Sequence, residues 1–376
     1  MQTMVQLGAQ SGEEQGGAPA RVLALLTDGF GASGGIAQYN RDLLTALSET
    51  PAIGGIVVLP RFGDAAAVRP AKIVQLTAMP GRVAWIAQSL RLAMQRHFDV
   101  IFCGHLNAAP LAALIARLTR TPLWLQVHGI EAWARPGRAV RAATQQADLV
   151  TAVSRFTRQK LLTWSDIDPA RVRVLPNTFE ARQACSETPV DVIARHGLAG
   201  RKVILTVGRL ASGERYKGHD RIIKALSEVR GQCPQAIYLV AGSGDDQPRL
   251  EALAAAVGVR EHVVFAGQVP PDELQDYFQL ANVFAMPSTG EGFGIVFLEA
   301  AASGLPIVAG NRDGSTDALA DGALGTLIDP EDQAALVTAL VDRLRQKRPS
   351  SPPAAIQRFA FANFASQVGK LVRNHD

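Results

Sequence analysis

The stretch MPSTGEGFGIVFLEAAASGLPIV, Met286 to Val308, decides how this chain is read. The apolar run 283–286 leads into it as a strand. Three glycines (Gly290, Gly292, Gly294) then make a loop that opens into a helix-forming run, and a second apolar strand follows at 306–309. A strand, a glycine loop, a helix and a strand in this order form one unit of a parallel α/β sheet. Free backbone N–H groups and the helix dipole both favour an anion where such a loop meets a helix start. Two carboxylates, Glu291 and Glu299, flank the same loop with seven residues between them. Acids repel phosphate, so this pair suits a ligand whose phosphate is attached to something neutral and hydroxyl-rich, as in a nucleotide-sugar. The plainer reading is that Glu291 complements the helix dipole and Glu299 lies on a solvated face.

The surrounding chain repeats that unit. In the front half, strands are expected at 21–27, 56–60, 99–104, 123–127, 148–153 and 172–176. Helices are expected at 36–48, 83–95, 111–118, 139–146 and 155–164, with Ser154 as the N-cap of the last. Apolar rhythm weakens between 177 and 200, then restarts with strands at 202–207, 236–241, 263–266, 283–286, 306–309 and 325–328. Helices are expected at 219–229, 248–256, 271–280 and 332–345, and a last amphipathic segment spans 354–372. The predicted organisation is a disordered tail (1–20), a front Rossmann-like domain (21–180), a linker (181–200), a rear Rossmann-like domain (201–353) and a C-terminal segment (354–376) that crosses back onto the front domain. Two doubly wound sheets on one linker leave a cleft between them, the usual place for a ligand.

Composition narrows the class. A length of 376 residues exceeds one ordinary core, and 47% hydrophobic with 19% charged residues is enough to bury two. Cys103, Cys185 and Cys233 show no CxxC spacing and read as thiols in a reducing cytosol. No apolar run is long enough to span a membrane, and the first residues lack the pattern of a secretory signal. Net charge is +4, distributed unevenly: residues 1–180 carry 18 Lys and Arg against 12 Asp and Glu, while the remainder is slightly acidic. A basic front half suits an anionic membrane surface or an acidic substrate, although an ordinary solvated surface has the same composition. The helix 83–95, with Val83, Trp85, Ile86, Leu90, Leu92 and Met94 among Arg82, Arg91 and Arg96, reads either as an interfacial helix or as a sheet cover. Arg135, Arg138 and Arg141 either extend the same patch or bind an acidic acceptor.

The ordered set of short signatures resembles the family 4 retaining glycosyltransferases, which have the two-Rossmann-domain GT-B architecture. The set comprises Gly34-Gly35, His128-Gly129, Val153-Ser154, Leu175-Pro176-Asn177, Val207-Gly208-Arg209-Leu210, Tyr216-Lys217-Gly218, Ala241-Gly242-Ser243-Gly244, and Glu291 to Glu299 with Gly304-Leu305-Pro306. The likeness covers the chain from Arg21 onward.

The resemblance implies that Glu299 binds the donor ribose and that Glu291, with Gly292, Phe293 and Gly294, faces the transferred sugar. Arg209 and Lys217 then neutralise the leaving diphosphate, and His128 stands beside the sugar. Gly34 and Gly35 let backbone approach the donor phosphates or the acceptor, and Gly242 and Gly244 belong to the donor-binding set. The alternatives are a solvated basic loop for the cations, a structural histidine and a plain tight turn. Two cations on the diphosphate leave no need for a divalent metal, and Asp166-Ile-Asp168, the DxD of this chain, reads as a turn. The implied activity is transfer of a hexose, with mannose from GDP-mannose ahead of a UDP-sugar, to a hydroxyl of a glycan or lipid-linked glycan in envelope or polysaccharide synthesis. Cofactors and nucleic acid are not expected; a cytoplasmic location with peripheral membrane contact is. A dinucleotide oxidoreductase would also be doubly wound, and Gly29-Phe-Gly-Ala-Ser-Gly34 has the GxGxxG spacing, but the ordered signatures above resemble the transferases. A silent glycan-binding scaffold would lose one of the four charged residues, and all are present.

Overall fold

The computed structural model of the chain describes residues 18–179 and 189–373. Most of the expected tail, residues 181–188 of the expected linker and Cys185 therefore fall outside the described residues. In the front half β1 (Ala20–Asp28), β2 (Ile53–Phe62), β3 (Ile73–Gln75), β4 (Val100–Cys103), β5 (Leu123–Val127), β6 (Leu149–Ala152) and β7 (Val172–Val174) form a parallel sheet in the order β3-β2-β1-β4-β5-β6-β7. In the rear half β8 (Lys202–Val207), β9 (Ala236–Ala241), β10 (Val263–Gly267), β11 (Val283–Met286), β12 (Ile307–Gly310) and β13 (Thr326–Ile328) form a second, ordered β10-β9-β8-β11-β12-β13.

Burial explains why the strands read as unbroken apolar runs. Val22 to Leu26 of β1 are all buried, because helices cover both faces of the sheet and no side chain is left to alternate toward water. One face carries the helices Arg82–Gln95, Ala109–Thr119 and Arg138–Gln146; the other carries Gly35–Glu49 and Phe361–Arg373. Trp85 and Leu92 are buried against the front sheet, and Trp85 Nε1 donates to Leu59 O at 3.1 Å. The helix 82–95 is thus a sheet cover over much of its apolar stripe, leaving Val83 (81% exposed) and Met94 (66%) outward.

The two halves share apolar packing. One core runs from Tyr39 and Leu43 of the front sheet's helix, through Phe179, Phe359 and Phe364, to Phe293 and Phe297 of the rear half. The C-terminal stretch makes the link. Thr178 Oγ1 donates to Phe359 O at 2.7 Å, Phe179 bridges to Ala360, and the helix Phe361–Arg373 packs along Gly35–Glu49. The stretch is two pieces and not one helix, since Ala360 takes an extended conformation between the 3-10 turn Ala354–Phe359 and the final helix. Each fully buried Phe or Leu here stabilises the joint by about 1.5–3 kcal/mol.

Both sheets reverse their winding direction beside the first strand, between β1 and β4 in front and between β8 and β11 behind. Loops that leave a sheet at such a reversal splay apart and open a crevice at the carboxyl ends of the strands. The loops after β1, β5, β8 and β11 carry Gly34-Gly35, His128, Arg209 and Glu291 respectively.

Candidate active site

A cleft of about 400 Å³ lies between the sheets, lined by Gly34, Gly35, His128, Arg209, Lys217, Glu291, Gly292, Phe293, Gly294 and Glu299. Ten of the twelve residues singled out from sequence therefore converge on one place. The exceptions are Gly242 and Gly244. A Cβ on Gly242 would lie 1.9 Å from Gly208 O, and one on Gly244 would lie 2.2 Å from Leu210 O. Their missing side chains make room for the backbone that carries Arg209, so they stand behind the wall.

The wall closest to the front half is a stack of backbone turns. A Cβ on Gly292 would lie 1.9 Å from His128 O, and one on Gly129 would lie 2.8 Å from Gly292 Cα. Only glycine at both points lets the turn after β5 touch the turn after β11. Behind them Gly314 N donates to Glu291 O at 2.9 Å. Asp313 Oδ2 accepts from Glu291 N at 2.8 Å and from Ser288 Oγ at 2.7 Å, and Asp313 Oδ1 accepts from Ser315 N at 2.9 Å. Burial raises the Asp313 pKa, against the hydrogen bonds that lower it. Asp313 thus fixes the Glu291 turn, a role no motif suggested.

His128 is half-buried at the end of β5. Its backbone N–H donates to Glu131 Oε1 at 2.5 Å, and its Nε2 lies 2.9 Å from Gly104 O. A carbonyl only accepts, so Nε2 carries the proton and Nδ1 is left as an acceptor. Burial holds the pKa of His128 below its ordinary value, partly opposed by Glu131. Tyr39 sets the ring edge-on at 5.2 Å between centroids.

The cations are paired. Lys217 Nζ is 2.7 Å from Glu291 Oε1, and the Arg209 guanidinium bonds to Glu214, an acid that none of the sequence signatures includes. Tyr216 and Asn177 also line the cleft. Glu299 projects into it from the helix Ile295–Ala302, whose Phe297 and Leu298 anchor the opposite side in the core. Gly294, at φ +86°, turns the chain into that helix.

Outside the cleft, Asp168 Oδ1 accepts from Ala170 N at 2.8 Å and Asp166 Oδ2 from Gln145 Nε2 at 2.8 Å, so the DxD acids cap local structure. Ser154 Oγ accepts from Thr157 N at 3.1 Å and caps its helix as the sequence implied. Arg155, next along, pairs with Asp317 at 2.7 Å and Asp321 at 2.5 Å on the rear half.

Comparison with known proteins gives the family. The family described as "Glycosyltransferase Family 4" matches residues 33–183, and "Glycosyl transferases group 1" matches residues 192–355. A GDP-mannose-dependent alpha-(1-6)-phosphatidylinositol monomannoside mannosyltransferase of Mycolicibacterium smegmatis is 34% identical, over 69% of this chain and 70% of that relative. Its namesake in Mycobacterium tuberculosis is 31% identical, over 82% and 85%. Among solved structures, Anabaena HepE in complex with UDP and glucose superposes with a TM-score of 0.78 over 94% of this chain and all of that chain, at 20% identity. The architecture, expected as GT-B from the motifs, is that of these transferases, and the chain belongs to the family 4 glycosyltransferases.

Proposed function

We propose that the protein transfers mannose from GDP-mannose to a hydroxyl of a lipid-linked glycan, with retention of the anomeric configuration and without a metal. The convergence of Arg209, Lys217, Glu291, Glu299 and His128 on one cleft carries the reading. The two relatives, GDP-mannose-dependent phosphatidylinositol monomannoside mannosyltransferases, support the donor and the acceptor class. In the proposed reaction the bond between the anomeric carbon and the diphosphate oxygen breaks, and the acceptor oxygen bonds that carbon on the same face. The acceptor proton passes to the departing phosphate oxygen. Arg209 and Lys217 meet the charge that builds on the diphosphate. Glu299 holds the ribose diol, Glu291 accepts from sugar hydroxyls, and Nδ1 of His128 accepts from a hydroxyl nearby.

Exposed Val83 and Met94, with Arg82, Arg91 and Arg96 on the same helix and its end, support contact of the front half with an anionic membrane face on the cytoplasmic side. No helix among the described residues is long and apolar enough to cross a membrane. A thermal-shift panel of GDP, UDP, ADP and their sugars, with and without EDTA, tests the donor reading. Selective stabilisation by GDP and GDP-mannose, unchanged by EDTA, is the expected result; selective stabilisation by a uridine nucleotide would replace the donor, and loss with EDTA would restore a metal.

A further inference from the structure

Four charged side chains meet on the rear wall of the cleft. Lys217 Nζ lies 2.7 Å from Glu291 Oε1 and 3.7 Å from Glu214 Oε2, while Arg209 Nη2 donates to Glu214 Oε1. The side chains of Lys217, Glu291 and Glu214 are 13%, 13% and 14% exposed; that of Arg209 is 79% exposed. Two positive and two negative charges cancel. The cations that a diphosphate needs are therefore already neutralised by acids of the protein.

The two acids are not held alike. Glu291 sits on a turn pinned at its N–H by Asp313 and at its carbonyl by Gly314. Glu214 belongs to the short 3-10 segment Ser212–Lys217, where its own dihedrals depart from helical values (φ −114°, ψ 28°). A local bond from Glu214 N to Ala211 O, at 2.8 Å, holds its backbone. Its Oε2 is buried with no hydrogen-bond donor, an arrangement that costs free energy unless nearby positive charge offsets it. Glu214 thus depends on Arg209 and Lys217, and Arg209 reaches it from an exposed position.

We propose that Glu214 is a built-in counter-ion that occupies the Arg209–Lys217 pair until the diphosphate of a donor displaces it, so that Glu214 sets donor affinity and speeds release of the nucleoside diphosphate product. This rests on the donor-site reading given above. A carboxylate and a phosphate group both present oxygens to the same donors, and the two anions repel at that distance. Displacement weakens binding of donor and product alike, and it returns the carboxylate to the cations once the product leaves.

The test is titration calorimetry of GDP and UDP into wild-type protein, Glu214→Gln and Glu214→Asp at one salt concentration, with donor KM and kcat for each. Glu214→Gln keeps the shape and loses the charge. It should bind the preferred nucleoside diphosphate at least ~10-fold more tightly and lower the donor KM without raising kcat. Glu214→Asp keeps the charge and should return toward wild type. Equal or weaker binding by Glu214→Gln, at an unchanged melting temperature, overturns the proposal and makes Glu214 an orienter of the two cations. If no nucleoside diphosphate binds any of the three proteins, the donor-site reading fails and the proposal with it.

Discussion

A methyl group on Gly292 would stand 1.9 Å from the carbonyl oxygen of His128 and 2.9 Å from Gly129 Cα. Carbon–oxygen contacts settle at about 3.3 Å or more, so Gly292→Ala forces the two turns apart by about 1.4 Å. Retreat toward the rear half is blocked, because Gly314 already sits where its own Cβ would come within 2.0 Å of Gly292 O. The displacement must open the cleft, moving His128 away from Glu291. Misplacement of this size costs about 100-fold in rate, or about 2.7 kcal/mol at the transition state. The fold should tolerate it, because the strain falls on two loop turns and not on a strand of either sheet. Steady-state kinetics with a melting curve for Gly292→Ala is the assay, and Gly137→Ala, which meets nothing within 4 Å, is the control. A kcat/KM within about threefold of wild type would refute the claim that these glycines set the cleft.

Glu299→Ala should reduce transfer by about 100-fold or more while leaving the melting temperature near wild type, since the core side of its helix is untouched; near-normal turnover would remove it from the donor site. Arg155→Ala breaks ion pairs that join the halves at a half-exposed side chain. Stability should change by less than about 1 kcal/mol, with kcat/KM falling several-fold; unchanged kinetics would make the bridge incidental. His219 is buried, accepts no hydrogen bond at Nε2, and has its pKa lowered to about 4, first by burial and then by Lys217. The folded value lies below the unfolded one, so stability present above about pH 6.5 is lost as pH falls toward 4. Between pH 7 and 5 the wild type should lose about 2 kcal/mol more than His219→Gln in chemical denaturation; parallel slopes would contradict this.

Sequence legibility followed the range of the forces involved. β5, β8, β9 and β11 begin and end where the apolar runs do, because buried parallel strands admit little else. β2 extends on both sides of its expected span, from Ile53 through Gly54-Gly55 and past Pro60 to Phe62, since pairing with β1 overrides residues that locally signal turns. β3 was missed as a three-residue edge strand, and the helix Val190–Arg195 lies in a span read as linker. Glu291 and Glu299 stood out by their places around the glycine loop, and Arg209 and Lys217 through the resemblance to the family's motifs. Glu214 did not, because an acid in a polar loop carries no pattern until the loop folds onto Arg209. Gly242 and Gly244 show the converse limit: a glycine pair marks a close approach, but whether a ligand or a neighbouring backbone approaches is decided by tertiary packing.

The proposed reaction is a mannosyl transfer at the Arg209–Lys217–Glu291–Glu299 cleft. Proton NMR of GDP-mannose incubated with wild-type protein and with Lys217→Ala, each given a lipid-linked acceptor, tests it most directly. Accumulation of an α-mannoside with the wild type, and loss of turnover by orders of magnitude with a folded Lys217→Ala, is the predicted result. A β-linked product, or equal turnover by both proteins, would contradict it.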